Sequence, residues 1–405
     1  MKITQLRTKE SYAFSVGKSL CLKMPHLILI SDLALISNFY MLIGEKANTL
    51  AFALALCALS ISAAALCVLG SILELCVFLG ILLFLILQHI VFAYKFGTEI
   101  NFNTIVQYYG PLTFIVYYGF IKFEKTSKIL ELFYVYSLIY CSIFLVLSLS
   151  FNLGYIPREF EYNLFVYDEA RGFRLLIATG TATYALIYAL FNLRQKLELS
   201  RLLAFSLVFA VFYVSVSRLL ILITISVLIL SMLMNRRYIS ALCFIGFVCV
   251  SLVMFYGLFD NWFNPYEIFS GDTSGRIRAD EYRDAIEIIL DNPLLGAGIA
   301  GSNSQLAQLT QNANFAPMDL GGLGIWFVFG IVGLSFYILS TLLTCFVADF
   351  LVDSNEIQRK ILGLIGCVVG MTGCLTPAIW YNGSLFGLIV AIFLAKILKL
   401  HQTVG

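Results

Sequence analysis

The passage Asp260–Asp319, DNWFNPYEIFSGDTSGRIRADEYRDAIEIILDNPLLGAGIAGSNSQLAQLTQNANFAPMD, is about the only long polar stretch in a chain otherwise made of apolar runs. Within it, Arg276 to Leu290 has helical spacing. Tyr282, Ile286, Ile289 and Leu290 recur at three- and four-residue steps, with arginines and carboxylates filling the other positions. Asp272 or Ser274 can cap the start, and Pro293 stops the helix. The pattern predicts an amphipathic helix lying against a membrane domain and presenting arginines to whatever the protein works on.

The flanks of this passage set the fold class. Of 405 residues, 60% are hydrophobic and 12% charged, with a mean hydropathy of +0.91. No soluble core needs that much apolar surface, whereas a bilayer does. Crossing the ~30 Å hydrocarbon core takes about 20 residues of helix. Twelve stretches qualify: 25–43, 48–68, 71–93, 104–121, 128–150, 172–192, 200–216, 218–234, 238–258, 321–347, 360–377 and 383–400. The cuts at Gly70-Ser71 and at Ser217 are the closest, since two spans abut there almost without a loop. The expected fold is all-α: one polytopic membrane domain over residues 1–405 with about twelve transmembrane helices, a large outer loop at 259–320 and a smaller one at 151–171. Basic residues spread over Lys2 to Lys23 with no small-residue cleavage site after the first apolar run, so that run reads as a permanent span.

The net charge of +2 averages two unlike faces. With the N-terminus inside, nine of the 26 Lys and Arg fall outside: Lys46, Lys95, Arg158, Arg171, Arg174, Arg218, Arg276, Arg278 and Arg283. Seven of the nine are arginine, whose planar fork grips phosphate bidentately. Balancing the outer acids is the simpler reading of any one of them. All ten cysteines lie in spans or, for Cys21, just before one, and no CxxC occurs, so neither disulfides nor a thiolate metal site is expected. His26, His89 and His401 are scattered, and the long loop has none, which excludes a histidine metal site there. No nucleic-acid partner is expected.

Three further features bear on chemistry. Asp32 and Glu74 are the carboxylates set well into spans, and a bundle-facing structural role is the preferred reading for both. Arg171 and Arg174 stand three apart at the mouth of the sixth span, on one helical face, as interfacial anchors or as a phosphate clamp. Arg218, in Ser215-Val-Ser-Arg218, sits at an elbow between two spans; a buried arginine needs an anion, either a permanent carboxylate or, as preferred, a phosphate-bearing substrate.

Arg278-Ala-Asp-Glu-Tyr282, continuing to Pro293-Leu-Leu-Gly296-Ala-Gly298, resembles the signature of the O-antigen polymerase and O-antigen ligase superfamily. In that signature an arginine is followed four residues on by an aromatic, and eleven residues later by Pro-x-x-Gly-x-Gly. Ser215-Val-Ser-Arg218 is similar to the Ser/Thr-x-Ser/Thr-Arg of the same family, and the layout of spans and long outer loop agrees. The resemblance covers about Gly172 to Val347. Ser274-Gly-Arg276 competes as the family arginine, but the spacing to Tyr282 and Pro293 selects Arg278. Each loop arginine also has an acid at helical spacing (Arg276 with Asp280, Arg278 with Glu281, Arg283 with Glu287), so a self-paired solvated face stays open. The ligases carry a histidine eleven residues before Gly-x-x-Gly. Here that position, counted from Gly330-Ile-Val-Gly333, is Asp319, which tilts the resemblance toward the polymerase.

What the resemblance implies is transfer of a growing glycan from undecaprenyl pyrophosphate to the terminal sugar of a second lipid-linked repeat unit. The reaction would run without cofactor or metal, on the periplasmic face of the bacterial inner membrane, with both termini cytoplasmic and a chain-length regulator protein as possible partner. Arg218 and Arg278, with Arg171 or Arg174, would neutralise the pyrophosphate, and Asp319 would orient or deprotonate the acceptor hydroxyl. Arg276, Arg283, Tyr282, Gly296 and Gly298 complete the expected substrate contacts. Gly296-Ala-Gly298-Ile-Ala-Gly301 spells GxGxxG, yet no strand precedes it, so a dinucleotide site is improbable; its N–H groups either approach a phosphate or form a helix-ending turn. The rival readings are the sibling ligase, a transporter or flippase, and a purely structural membrane subunit.

Overall fold

In lipid, backbone amides must be satisfied within the chain, so long apolar runs become helices. The computed structural model of the chain describes residues 2–37, 47–69, 72–100, 108–156, 165–168, 172–175, 178–215, 224–226, 228–229, 232, 273–312, 315–317, 320–346, 360–366, 368 and 385–404. Among these, the helices are α1 (Lys2–Ile36), α2 (Ala47–Leu69), α3 (Ile72–Phe96), α4 (Phe114–Phe123), α5 (Thr126–Asn152), α6 (Thr179–Gln195), α7 (Leu199–Ser215), α8 (Thr273–Asp291), α9 (Asn303–Thr310), α10 (Gly321–Phe346) and α11 (Leu385–Val404). One antiparallel hairpin, β1 (Phe165–Asp168) and β2 (Gly172–Leu175), stands between α5 and α6.

Five helices among the described residues are long and apolar enough to cross a membrane: Gly17–Ile36, Thr49–Leu69, Ile72–Phe96, Thr126–Asn152 and Gly321–Leu339. Leu199–Ser215 and Leu385–Ala395 are shorter apolar helices. Apart from the small hairpin, the architecture is that of an all-α polytopic membrane protein.

Several expected boundaries move. The first helix runs unbroken from Lys2 through Pro25, and its apolar span begins at Gly17, eight residues before the expected start. Lys18 and Lys23 are exposed on it, where long basic side chains can reach a membrane surface while their stems stay apolar. Within the expected span 104–121, of which 104–107 lie outside the described residues, Gly110–Thr113 is a 3-10 turn leading into the ten-residue α4. Pro111 has no N–H for a helical bond at that point. The expected sixth span does not begin at residue 172, because residues 172–175 form β2; its helix starts at Thr179. The expected spans 218–234 and 238–258 lie outside the described residues, except for 224–226, 228–229 and 232.

Short α4 is the hub. Its residues Phe114 to Ile121 are all buried, and it packs against α1, α2, α5 and α11. Lipid tails are as apolar as leucine, so close packing rather than water exclusion holds such helices together. Small residues supply the closeness: Gly119 of α4 faces Cys21 and Leu69, and Gly387 lets α11 settle on the Gly110–Thr113 turn. Three buried tyrosine hydroxyls are paired with other segments of the chain. Tyr109 Oη donates to Asp32, Tyr184 Oη donates to the Leu130 carbonyl at 2.9 Å, and Tyr140 Oη accepts the Ala178 N–H at 2.7 Å ahead of α6. Asp32 and Glu74 both face the bundle, 2% exposed each.

A Cβ at Gly387 would overlap Thr113 Oγ1 and lie 2.8 Å from the Gly110 carbonyl oxygen, whereas at Gly80 nothing lies within 4 Å. Gly387→Ala is therefore expected to destabilise by about 1–3 kcal/mol. Gly80→Ala is expected to be neutral or mildly stabilising. Thermal melting of the detergent-solubilised protein compares the two.

Candidate active site

The amphipathic segment forms α8, Thr273–Asp291. Ser274 lies inside its first turn and so is not the cap; Asp272 lies outside the described residues. Tyr282, Ala285 and Ile289 are buried at helical spacing, and α8 packs on α10. Leu290 departs from the expected stripe and is 68% exposed. One residue turns a helix by roughly 100°, so a face centred on Tyr282 and Ile289 leaves Leu290 outside. Glu281 sits on the buried side instead, at 1% exposure.

The helix ends where the Asn292 N–H turns back to Ile288 and Ile289, and the loop that follows is built into another helix. Gly330 interrupts α10 with φ 66° and ψ −167°. An unbroken helix would bond the Ile331 N–H to the Phe327 carbonyl. Here the Phe327 carbonyl accepts from Ala297 N–H at 2.6 Å, and Ile331 N–H donates to the Pro293 carbonyl at 3.0 Å. Gly298 N–H donates to Val328 at 2.9 Å, and Trp326 Nε1 donates to Pro293 at 3.0 Å. On its other side the loop meets α3. Ile299 N–H donates to the Gln88 carbonyl at 3.1 Å, and Lys95 Nζ donates to the Gly296 carbonyl at 2.5 Å.

This fit explains the glycines. Gly296 and Gly298 have φ of 68° and 91°. A Cβ at Gly296 would lie 2.5 Å from the Phe327 carbonyl oxygen, and one at Gly298 would lie 2.6 Å from both Gln88 O and Phe92 N. The Gly296 N–H is itself bonded to Asn292 at 3.0 Å. The amides of Gly296, Ala297, Gly298 and Ile299 are thus committed to carbonyls, and the geometry gives these glycines close packing rather than phosphate contact.

From the loop the chain enters α9, whose cap Ser302 accepts the Gln305 N–H at 3.3 Å while Gln305 Oε1 takes the Gly301 N–H at 2.8 Å. It leaves through Gln311 in the left-handed region, φ 56°. The returning segment is gripped by α8: Asn312 Nδ2 donates to Asp284 Oδ2 at 3.0 Å, and Ala316 N–H donates to Glu281 Oε1 at 2.9 Å. Three residues beyond Ala316 comes Asp319, and two residues beyond that α10 begins.

Of the residues expected from sequence, Arg171, Arg218 and Asp319 lie outside the described residues. Arg174 is on β2 opposite Val166, so the argument that Arg171 and Arg174 share a helical face does not hold. Arg276 and Arg278 lie on the first turns of α8, Arg278 in register with Tyr282, Ala285 and Ile289. Arg283 is exposed and pairs with Asp280 at 3.8 Å rather than with Glu287. What the structure brings together is Gly296 and Gly298 with Gln88 and Lys95 of α3, while Tyr282 and Glu281 are buried on α8. Sequence reasoning did not assign Gln88, Lys95 or Glu281. Gln88 and His89, both buried, are a polar pair inside an apolar span, and that pattern was a usable signal. Among the described residues no three His, Cys, Asp or Glu side chains gather where they could hold a metal ion.

Gly298→Ala is expected to lower the melting temperature and to open residues 292–301 to protease in purified, substrate-free protein. Left-handed strain contributes roughly 1–2 kcal/mol, before the overlap with α3. Unchanged melting with lost turnover would return the loop to substrate binding.

Residues 202–338, about a third of the chain, match the family model described as O-antigen ligase. Among curated proteins and solved structures none matches. The matched stretch runs from α7 through α8, the inserted loop and α9 to beyond the break in α10. Residues 202–338 thus carry an O-antigen ligase family domain, consistent with the O-antigen polymerase and ligase superfamily that the arginine, aromatic and glycine pattern resembles.

Proposed function

We propose that the chain is an O-antigen polymerase: a membrane glycosyltransferase that moves a growing glycan from undecaprenyl pyrophosphate onto the terminal sugar of a new lipid-linked repeat unit. The observation that carries this reading is the anchoring of α8, the helix bearing Arg276 and Arg278. Tyr282 and Ile289 bury it on the bundle, and the loop after it is built into broken α10, all inside the matched family region. The family supports a glycosyltransferase-like membrane enzyme of O-antigen assembly; the choice of polymerase rests on Asp319 standing where the resemblance puts a ligase's histidine.

In this reading the acceptor hydroxyl oxygen attacks the donor's anomeric carbon. The bond from that carbon to the pyrophosphate oxygen breaks, and the hydroxyl proton passes to Asp319 or to water oriented by it. Charge developing on the departing lipid pyrophosphate is taken up by Arg218 and Arg278, with Arg171 or Arg174 beside them. Guanidinium forks suit that task because they stay charged and bind two oxygens at once. The chain lies in the inner membrane with both termini cytoplasmic and the loops at 151–171 and 259–320 periplasmic. A chain-length regulator is a partner compatible with this placement.

The ligase is the second reading, favoured by the description of the matching family model. A lipopolysaccharide gel from a strain deleted for the gene separates the two. Core bearing a single O-unit is expected for a polymerase. Bare core with polymer retained on undecaprenyl pyrophosphate indicates a ligase, and an unchanged ladder removes both readings.

On complementation, Arg278→Ala is expected to abolish most polymer, since a charged hydrogen bond to phosphate contributes about 1.5–3 kcal/mol. Arg278→Lys should rescue poorly because the fork is lost. Wild-type ladders from both Arg278→Ala and Asp319→Asn would overturn the site.

A further inference from the structure

Hydroxyls inside these apolar helices mostly settle their own bonds. Ser62, Ser137 and Ser142 each donate to the carbonyl four residues earlier, at 2.9, 2.8 and 3.0 Å. Thr181, in the first turn of α6, does not. Its side chain is 4% exposed, and its Oγ1 has no hydrogen-bond partner among the described residues. A hydroxyl shut away from water without a partner is costly, so one that persists calls for a reason.

The end of the helix on which Thr181 stands is itself unprovided for. The opening amides of a helix have no carbonyl within it, and the aligned peptide dipoles leave that end partly positive. α6 begins after Ala178, which supplies no side-chain cap, and no acid lies in the first turn. A helical Cα–Cβ bond tilts toward the N-terminus, so Thr181, the third residue of α6, carries its hydroxyl toward that end. Tyr140 of α5 adds another proton. It is fully buried, its Oη accepts the Ala178 N–H at 2.7 Å, and among the described residues its own O–H meets no acceptor. Proton donors thus gather at a positive helix end. Ala178 and Thr181 are buried, but Gly180 between them is partly exposed, which leaves a way in. Tyr140 lies twelve residues before Asn152, the last of α5, roughly 18 Å along an axis long and apolar enough to cross a membrane. At such a place the anion at hand is a phosphate, the group that helix N-termini bind readily.

We propose that the N-terminus of α6 is a phosphate-binding site, where the hydroxyls of Thr181 and Tyr140 and the opening amides of the helix, that of Gly180 among them, donate to the oxygens of one phosphate group. The group is free phosphate or the phosphate of a lipid headgroup; the chemistry that recognises it is the same. The site requires neither the polymerase nor the ligase reading.

Delipidated full-length protein in neutral detergent is melted in a titration with sodium phosphate, against sodium chloride at matched ionic strength, and in a second with phosphatidylglycerol, against diacylglycerol. A ligand that binds the folded state raises the melting temperature. At least one phosphate probe is expected to do so beyond its control. A response to sodium phosphate makes the site one for a soluble anion, and a response to phosphatidylglycerol alone makes it one for a lipid headgroup. Thr181→Val is expected to weaken that response by about tenfold or more in apparent affinity, the scale of one hydrogen bond to a charged group. Without ligand it should melt no lower than wild type, since a methyl replaces an unbonded hydroxyl. Thr183 is the control: it is buried with an unpartnered Oγ1 as well, but two residues turn the helix by about 200°. Thr183→Val is expected to stay within about twofold. No response to either probe would leave the donors to water and overturn the proposal. So would wild-type binding by Thr181→Val, or equal loss in Thr181→Val and Thr183→Val. Where Thr181→Val does not fold, Thr181→Ser must keep the response and Thr181→Ala must lose it; any other result overturns the site.

Discussion

An amide inside a bilayer-spanning bundle has no water to turn to, and each one left unbonded costs several kcal/mol. That constraint governs the break in α10. At Gly330 the helix gives up its regular bonds, and the loop after α8 takes them over, donating from Ala297 and Gly298 and accepting at Pro293. Neither partner is complete alone. The loop needs the exposed carbonyls of Phe327 and Val328, and the helix needs the loop's carbonyl for Ile331. This exchange fixes the end of α8, the helix of the arginines, to the bundle.

The bundle in turn is organised around a helix too short to cross a membrane. Ten-residue α4 is buried from Phe114 to Ile121 between α1, α2, α5 and α11, and its approach to α11 depends on Gly387. α3 joins the bundle core to the site. It touches the 3-10 turn before α4, and near its C-terminal end it carries Gln88 and Lys95 to the inserted loop. Core packing and site geometry thus share one helix.

How far the sequence spoke can be seen residue by residue. The 3.6-residue period made α8 legible, and Pro293 marked its end. The same period placed Leu290 inward, because apolar identity cannot separate an inward leucine from one exposed at the helix edge. Glu281 read as solvated, since its bond to Ala316 crosses 35 residues and leaves no local pattern. The glycines of 296–301 were legible as a tight turn, while the partners of their amides, near residues 88 and 328, were not. The β hairpin at 165–175 was missed because Arg171 and Arg174 were read as the start of a span.

The inserted loop also bears on what a short sequence signature stands for. Pro-x-x-Gly-x-Gly here marks a mechanical joint: a carbonyl from Pro293, two residues without side chains, and amides turned into a helix break. The amides of residues 296–299 are all bonded to carbonyls of the protein itself. In this chain the motif therefore identifies a way of joining a loop to a broken helix.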